Sequence, residues 1–386
     1  MAYADFQYQT YLAGVGGTKP EFPMSLPGIE EAARQKMTER AYGYVAGGAT
    51  SEDTVAENLA AFRRWRLVPR ALEDVGTRDL SVELFGSRFE SPVLLAPIGV
   101  QSIVHEDGEL ATARAASKVG VPIVLSTAAS NSIEDVATAS GGGPRWFQLY
   151  WPTGEEVMAS FVRRAEAAGY EAIVVTIDTR LLAWRPRDLD AAYLPFLSAE
   201  GVANYLTDPA FKGLLEKSPE EDIGAAVMQW AAQFANPGLS WDHLPLIRKY
   251  TKLPVLLKGI LHPDDARRAL DVGIDGIVVS NHGGRQVDGA IATLDALPEV
   301  VEAVGDRVPV LLDSGIRTGA DICKALALGA RAVLLGRPFV WGLGLAGEAG
   351  VEHVVRSILA DLDLTVALLG LDSIRGLDAH MLRRPA

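Results

Sequence analysis

The sequence contains a single cysteine, Cys323, among its 386 residues. One thiol can form neither a disulfide within the chain nor a metal centre built from several thiolates, so both are excluded. Cys323 lies in the apolar helical pattern GADICKALALGA, where a small buried hydrophobic side chain is the favoured interpretation. The 48% of apolar residues is ordinary for a globular protein with a sizeable core.

Basic charge and long apolar runs are also scarce. The 36 Lys and Arg residues against 49 Asp and Glu residues give a net charge of −13. Because no basic cluster is dense enough to follow a phosphate backbone, nucleic acid is a poor candidate partner. No stretch approaches the roughly 18 apolar residues of a membrane span, and MAYADFQYQT lacks the basic start and apolar core of a secretory signal. We therefore expect a cytoplasmic enzyme without a membrane partner.

Short apolar runs are what the chain does contain, and nearly all of them end in a residue that can take part in chemistry. They are β-branched or leucine-rich, too short for helices, and bounded by glycine, proline or polar residues. The runs are SPVLLAPIG (91–99), PIVLSTAA (122–129), RWFQLYW (145–151), AIVVTIDT (172–179), PVLLKGI (254–260), GIVVSNHGG (276–284), PVLLDSGI (309–316) and AVLLGRP (332–338).

Helical patterns such as ELATARAASKVG and PDDARRALDVG fill most of the gaps between these runs. Strands that are apolar on both faces and alternate with helices indicate a parallel sheet covered by helices. Such units predict an α/β fold, a (β/α)8 TIM barrel with its active site at the carboxyl ends of the strands. We expect a single domain over residues 1–386, with an N-terminal extension (1–90), the barrel (91–340) and C-terminal helices (341–386).

The N-terminal extension has patterns of its own. A helical stretch is predicted from Pro27 to Ala46, and a second helix within residues 47–70. The segment LVPRALEDVGTRDLSVELFGSRF is typical of extended strands joined by turns, which we expect to plug the bottom of the barrel.

A long insertion follows the fourth predicted strand, because Asp178 and Lys258 are 80 positions apart. Its part from about 189 to 237 contains the helical pattern SPEEDIGAAVMQWAAQF. Long insertions on the catalytic face of a barrel are usually lids, and a solvated excursion is the alternative. Packing over the barrel mouth is favoured by its aromatic residues, namely Tyr193, Phe196, Tyr205, Phe211, Trp230 and Phe234.

Glycine and arginine follow the last two predicted strands. Strand seven runs into DSGIRTG with Asp313, Gly315 and Arg317, and strand eight ends in Gly336 and Arg337. Glycines let backbone N–H groups approach an anion, and the arginines can supply bidentate charge. We therefore predict a site for a phosphorylated cofactor or substrate, with two helix-capping turns as the alternative reading.

A second glycine pattern, GLGLAG at 342–347, matches the dinucleotide-binding fingerprint only in its letters. The residues that follow it are helical, and no second strand completes a βαβ unit. We interpret it as a glycine-rich helix.

His282 terminates the sixth apolar run, beside Gly283 and Gly284. A histidine there can act as a general base, and a structural histidine is the alternative. Asp178, at the end of strand four, could hold the tautomer of the imidazole and stabilise its protonated form. Arg285 and Arg185 could grip a carboxylate.

Lys258 ends the fifth run and has several possible roles. It could be a Schiff-base nucleophile, a fixed cation beside an anionic cofactor, or a structural lysine paired with a carboxylate. No metal site is expected, because His282 is a lone histidine at a strand end and no His-x-His pattern occurs.

Together these residues resemble the FMN-dependent L-2-hydroxy acid oxidases and dehydrogenases. The resemblance runs from about Ala41 to Ser373, and its strongest marker is SNHGGRQ at 280–286. The motifs AYGYVAGGA, FQLY, LLKGI, LDSGIRTG and LLGRP match in the same order.

The resemblance implies a role for each matching residue. His282 would take a proton from the substrate and pair with Asp178, while Arg185 and Arg285 would bind its carboxylate. Tyr44 and Tyr150 would hydrogen-bond the substrate, and Lys258 would lie near flavin N1. The implied FMN contacts are Pro97, Ile98, Gly99, Ser126, Gln148, Thr176, Lys258, Ser280, Asp313, Gly315, Arg317, Gly336 and Arg337. The family also implies a homo-oligomer, a tetramer or larger.

Within the family, the sequence is most similar to the branch of lactate 2-monooxygenases. WRPRDL (184–189), PFL (195–197) and NYLTDPAF (204–211) resemble that branch's lid, and Gly99 stands where oxidases usually have alanine. We expect the missing methyl group to open space beside the flavin. Ala128 stands where glycolate oxidase has a bulky aromatic residue, so we also expect a roomier pocket that could take substrates larger than lactate.

The expected reaction is oxidation of a small, lactate-like L-2-hydroxy acid with O2 as acceptor, giving acetate, CO2 and water. The alternative is a simple oxidase for lactate-, glycolate- or mandelate-like acids that releases the 2-oxo acid and H2O2. Two other classes stay open, a Schiff-base lyase that uses Lys258 and a non-catalytic FMN-binding protein.

Overall fold

The computed structural model describes residues 2–384, and its first elements are helices. They are α1 (Asp5–Val15), α2 (Leu26–Lys36), α3 (Glu39–Ala46) and α4 (Asp53–Arg63). The helical stretch predicted from Pro27 to Ala46 forms two helices rather than one, because the backbone is extended at Met37 and Thr38. The Thr38 hydroxyl accepts a hydrogen bond from the Ala41 N–H, which caps a new helix instead of extending the old one. The second predicted helix is confirmed by α4.

Short strands follow these helices, namely β1 (Arg66–Leu67), β2 (Val82–Leu84) and β3 (Ser87–Phe89). In the described chain, eight parallel strands then close into a barrel, which confirms the predicted fold class. The barrel strands are β4 (Val93–Leu95), β5 (Ile123–Ser126), β6 (Arg145–Tyr150), β7 (Ile173–Thr176), β8 (Val255–Ile260), β9 (Gly276–Val279), β10 (Val310–Leu312) and β11 (Ala332–Leu335). Most of their residues are buried, because side chains fill the inside and helices cover the outside.

The bottom of the barrel is closed by the antiparallel hairpin of β2 and β3. The rings of Phe85 and Phe89 lie 5.7 and 6.3 Å from the ring of Trp146, which is near the start of β6. The hairpin thus shares a buried cluster with inward-facing residues of the barrel, as expected from the extended pattern.

Helices connect the barrel strands and cover them. They are α5 (Gly108–Val119), α6 (Ile133–Ser140), α7 (Glu155–Ala167), α8 (Pro186–Asp190), α9 (Ala203–Leu206), α10 (Pro209–Lys212), α11 (Ile223–Phe234), α12 (Pro263–Asp271), α13 (Thr293–Val304), α14 (Gly319–Ala327) and α15 (Arg337–Leu368). Shorter 3₁₀ helices lie at Gln101–Ile103, Pro195–Ser198, Trp241–Lys249, Ile374–Gly376 and Ala379–Met381. Within residues 2–384, no helix has both the length and the apolarity that crossing a membrane requires.

The C-terminal region differs from the all-helical expectation. Helix α15 begins at Arg337, and after it the chain forms short 3₁₀ turns and a strand, β12 (Leu382–Arg383), that pairs with β1. Residues Ala346 and Gly347 interrupt α15, so its two parts fold against each other. A β-carbon on Gly350 would lie 1.9 Å from the Gly342 carbonyl oxygen. The glycine-rich pattern at 342–347 therefore serves close helix packing, which confirms its interpretation as a glycine-rich helix.

The insertion between β7 and β8 contains α11 where a helix was predicted. Its aromatic residues do not all pack over the barrel mouth. Tyr205 and Phe211 are buried beside α7, where the Tyr205 ring lies 4.8 Å from that of Phe161. Phe196, Trp230 and Phe234, which we call the aromatic cluster, pack together at the mouth with ring centroids 5.0 to 6.1 Å apart.

Candidate active site

A cavity of about 1040 Å³, open solvent at its mouth included, lies at the carboxyl ends of the barrel strands. The loops and strand ends around the barrel supply its walls, together with α3 and the insertion. Predicted site residues that line it are Tyr44, Pro97, Ile98, Gly99, Ser126, Tyr150, Arg185, Lys258, His282, Arg285, Asp313, Gly315, Arg317, Gly336 and Arg337. Closure of the parallel sheet brings these distant positions together because every strand ends at the same rim.

Other predicted residues lie behind this wall and are buried. Gln148 donates a hydrogen bond from Nε2 to Oγ1 of Thr176 at 2.9 Å. Its Oε1 accepts from the Ser126 hydroxyl at 3.1 Å. Ser280 accepts from Lys258 Nζ at 3.0 Å and from the His282 N–H at 3.1 Å. These contacts fix the orientation of the groups that face the cavity.

His282 and Asp178 form a largely buried pair at the centre of the site. Nδ1 of His282 lies 2.8 Å from Oδ1 of Asp178, and Nε2 lies 3.4 Å from the Tyr150 hydroxyl. The Thr179 hydroxyl donates to the same Asp178 oxygen at 2.9 Å and lies 3.0 Å from Nδ1. With Nδ1 held by the carboxylate, Nε2 is the nitrogen directed toward Tyr150.

The charges around the pair shift both titrations. Burial opposes ionisation of Asp178, but the charges of His282 and Lys258 and the hydrogen bonds outweigh it and lower the pKa of Asp178 to about 2. Burial also lowers the pKa of His282 below its ordinary value, with the cation of Lys258 acting the same way and Asp178 opposing. At neutral pH, Asp178 is therefore ionised and His282 is free to accept a proton.

Backbone geometry makes room for this pair. His282 has φ = +58°, in the left-handed region, and Gly283 and Gly284 continue the turn with φ = +67° and +77°. Gly259 has φ = +111° at a bulge in β8. A β-carbon on Gly259 would lie 2.7 Å from Cβ of Asp178, so only glycine leaves the aspartate its position.

Lys258 is almost completely buried on the same side of the cavity. Its ammonium lies 3.4 Å from Oδ2 of Asp313. Burial opposes its charge, but Asp313 and Asp178 outweigh that and raise the pKa of Lys258. The group is therefore a fixed cation rather than a free amine.

Two arginines and a tyrosine form a cationic corner near His282. The Arg285 guanidinium lies over the Tyr44 ring, 5.0 Å from its centroid, and donates to the Tyr44 and Gly47 carbonyls at 2.6 and 2.7 Å. Arg185 donates to the Arg285 carbonyl at 3.2 Å and to Oε1 of Gln286 at 2.9 Å. Burial and the nearby Arg185 lower the pKa of Arg285 to about 10. Such a corner is suited to binding a carboxylate.

Arg317 and Arg337 also line the cavity, and Arg337 shares the Gly47 carbonyl with Arg285. Arg337 is held by the carbonyls of Val45, Gly47 and Gly283 at 2.8 to 3.0 Å. Burial and the repulsion of Arg285 and Arg317 lower the pKa of Arg337 to about 9, and burial lowers the pKa of Arg317. Partly buried arginines that repel each other are stabilised by an anion between them, as expected for a phosphate site.

Gly99 and Ala128 meet at the wall beside these groups. A β-carbon on Gly99 would lie 2.7 Å from the Ala128 carbonyl oxygen and 3.1 Å from its β-carbon. The same carbonyl accepts a hydrogen bond from the Val100 N–H at 2.8 Å. The expectation that Gly99 leaves open space is therefore wrong, because the backbone of the neighbouring loop occupies that place.

The structure adds residues that the sequence reasoning missed. Thr179 contacts both members of the His282–Asp178 pair, and its place directly after Asp178 was the available signal. Gln286 links Arg185 to the Asp178 carbonyl, to which its Nε2 donates at 2.9 Å. Glu109 is completely buried and accepts hydrogen bonds from the Gln101 and Ser130 N–H groups, a contact that no local pattern indicated.

Comparison with known proteins places this geometry in a family context. The sequence family described as FMN-dependent dehydrogenase matches residues 33–384. An FMN-dependent alpha-hydroxy acid dehydrogenase of Penicillium citrinum is 46% identical over 92% of this chain and 89% of the relative. An L-lactate oxidase of Lysinibacillus sphaericus is 45% identical over 92% of both chains. The crystal structure of mandelate oxidase is similar with a TM-score of 0.82 and 39% identity, covering 94% of this chain and 98% of the other.

Proposed function

Because the chain belongs to the family of FMN-dependent dehydrogenases, we propose that it oxidises a small L-2-hydroxy acid and passes the electrons to O2. Its cofactor is FMN, which accepts two electrons from the substrate carbon when it is bound. The observation that carries the proposal is the position of the His282–Asp178 pair beside the cationic corner of Arg185 and Arg285 in one cavity. A base and a carboxylate site side by side are what a 2-hydroxy acid requires.

The residues around the cavity fit FMN at both of its ends. Arg317 and Arg337 would bind the phosphate, with Gly315 and Gly336 allowing its close approach and Asp313 facing the ribityl chain. Lys258 would stabilise negative charge on the reduced ring as a fixed cation. Pro97, Ile98, Gly99 and Ser126 would contact the ring, with Gln148, Thr176 and Ser280 at or just behind that wall.

The substrate would be held by groups that already have fixed orientations. Arg285 and Arg185 would bind the carboxylate, and Tyr44 and Tyr150 would hydrogen-bond the carboxylate and hydroxyl groups. Nε2 of neutral His282 would accept the proton that leaves the substrate, and ionised Asp178 would stabilise the resulting imidazolium.

As to the final products, we propose that the protein is a lactate 2-monooxygenase, in which L-lactate and O2 give acetate, CO2 and water. Pyruvate and H2O2, the products of a simple oxidase, balance to the same three products if they react before release. The proposal is supported by the insertion, whose Phe196 and Phe234 line the cavity wall, where they would hinder product escape. The simple oxidase stays the alternative, since two of the relatives above are named as oxidases.

The Schiff-base lyase is disfavoured by the environment of Lys258. Attack on a carbonyl requires a neutral amine, and Asp313 and Asp178 raise the pKa of Lys258. A non-catalytic role is disfavoured because one cavity brings together the His282–Asp178 pair, the two arginines of the cationic corner, and Tyr44 and Tyr150.

Anaerobic reduction tests the proposed function. L-lactate added without O2 to the purified protein should bleach the visible absorbance of its FMN, and D-lactate should not. Retained absorbance with every small L-2-hydroxy acid would contradict the proposal, whatever the products formed in air.

A further inference from the structure

We propose that Phe196, in the insertion, is a specificity-determining residue whose ring limits the size of the substrate's side chain. The inference rests on the proposed function and concerns the third substituent of the substrate's reacting carbon. It implies that the favoured substrates carry side chains of one or two carbons, and that an aromatic side chain is excluded.

The side chain of the substrate has only one direction left to it. The cationic corner takes the carboxylate, and His282 with Tyr150 takes the hydroxyl group. The remaining part of the wall at this end is apolar and includes Ala128, Leu182, Phe196 and Phe234. The transfer of a methyl or ethyl group from water to such a surface lowers the free energy of the bound substrate.

A series of ring contacts connects Phe196 to the reacting residues of the cavity. The Tyr150 hydroxyl is 3.4 Å from His282, and the Tyr150 ring centroid is 5.1 Å from that of Phe234. The Phe234 ring is in turn stacked 6.1 Å from that of Phe196. This series of contacts connects Phe196 to the base through only two intervening rings.

The bulk of this wall comes from the insertion and not from the barrel. Ala128, two residues after the end of β5, contributes a single methyl group. A β-carbon on Gly201 would lie 3.0 Å from Cε1 of Phe196 and 3.2 Å from the Ala128 carbonyl, so Gly201 fills the gap between them. The room expected beside the small Ala128 is thus bounded by the insertion.

Phe196 is also held firmly enough to discriminate between substrates. It is only 4% exposed and packs 5.1 Å from the ring of Trp230, which supports it from outside the cavity. Asn204, a little further along, donates to the Ser126 and Thr127 carbonyls at 3.2 and 3.1 Å and accepts from the Ile133 N–H at 2.9 Å. A buried ring with fixed neighbours cannot move aside at low cost.

Substrate competition between L-lactate and L-mandelate tests the proposal. In Phe196→Ala, the ratio of kcat/KM for L-mandelate over L-lactate should rise at least about tenfold, because the removed ring leaves room for the phenyl group. Leu197→Ala is the matched control, since Leu197 is adjacent but 59% exposed, and it should leave the ratio unchanged.

The outcomes separate this inference from the proposed function. If the wild-type protein oxidises L-lactate and the ratio in Phe196→Ala equals that of the wild type, the inference is wrong and the function stands. If the wild type oxidises neither acid nor any other small L-2-hydroxy acid, the proposed function fails first. If Phe196→Ala loses its FMN or fails to fold, the same ratio of kcat/KM for L-mandelate over L-lactate is measured in Phe196→Leu. A ratio equal to that of the wild type in that variant overturns the proposal.

Discussion

Nδ1 of His282 lies 2.8 Å from Oδ1 of Asp178, although the two residues are 104 positions apart in the chain. The barrel brings the ends of β7 and β9 to one rim, and the bulge at Gly259 leaves the aspartate its place between them. The pair therefore depends on topology and on one glycine, and its chemistry can be tested through pH.

The activity should fall on the acid side at a pH below the ordinary histidine value of 6.5, because burial lowers the pKa of His282. Protonated His282 cannot accept a proton, so kcat/KM should decrease as pH falls through that pKa. Asp178→Asn removes the charge that raises the pKa of His282. In this variant the acid limb of the kcat/KM profile should move to still lower pH, and the maximal kcat/KM should decrease. Measured kcat/KM profiles check both; an acid limb above 6.5 would contradict the account.

Replacing the base should separate catalysis from cofactor binding. His282→Ala should keep FMN, because Arg337 is held by backbone carbonyls and not by the imidazole ring, and should lose turnover by about 10²–10⁴-fold. Visible spectra give the FMN content, and anaerobic stopped-flow reduction gives the rate. Reduction at the wild-type rate would show that another group takes the proton.

The guanidinium of Arg285 should matter for its fork geometry as well as its charge. Arg285→Lys keeps a cation but loses bidentate contact, so KM for L-lactate should rise about tenfold or more with a smaller change in kcat. Arg187→Lys, at an exposed site, is the control and should leave KM unchanged. An equal KM in Arg285→Lys would mean that this residue does not bind the carboxylate.

Gly99→Ala should change the products more than the first half of the reaction. The new β-carbon would meet the Ala128 carbonyl at 2.7 Å, so the two loops must separate at the wall of the cavity. We expect products to escape sooner, with a larger share of pyruvate and H2O2 and a smaller share of acetate. The assay measures the ratio of acetate to H2O2 formed from the lactate consumed. A ratio equal to that of the wild type would show that Gly99 does not control product escape.

Glu109→Ala should destabilise the protein without touching the substrate. Glu109 accepts hydrogen bonds at 3.0 to 3.1 Å from the Gln101 and Ser130 N–H groups and from the Asn131 side chain. Leaving these buried and partly buried donors unpaired should lower the free energy of unfolding by about 3 kcal/mol. Denaturant unfolding measures the loss, and Glu106→Ala, which is exposed, should show almost none.

The sequence predicted those features that follow from local pattern and barrel topology. Strand-end residues such as Lys258, His282 and Arg317 line one cavity because parallel strands share a rim. The helix break at Thr38 was missed because a single capping hydrogen bond outweighs an otherwise helical pattern. The contact of Gly99 with Ala128 could not be predicted, because it depends on how two loops from different strands pack.

The insertion also depends on contacts between distant segments that the sequence pattern did not predict. Its aromatic content predicted packing over the barrel mouth. Phe196, Tyr205, Phe211 and Trp230 are buried, whereas Tyr193 and Phe234 are only partly buried. Which of them face the cavity mouth and which face α7 was beyond composition. That division is set by long-range bonds such as those of Asn204 to the end of β5, which no local pattern reveals.

Product stoichiometry in air tests the central claim most directly. The purified yellow protein would be mixed with L-lactate, and acetate, pyruvate and H2O2 would be assayed together against O2 consumed. We predict one acetate per lactate with almost no free peroxide. Pyruvate and peroxide in equal amounts would contradict the monooxygenase outcome and leave a simple 2-hydroxy acid oxidase.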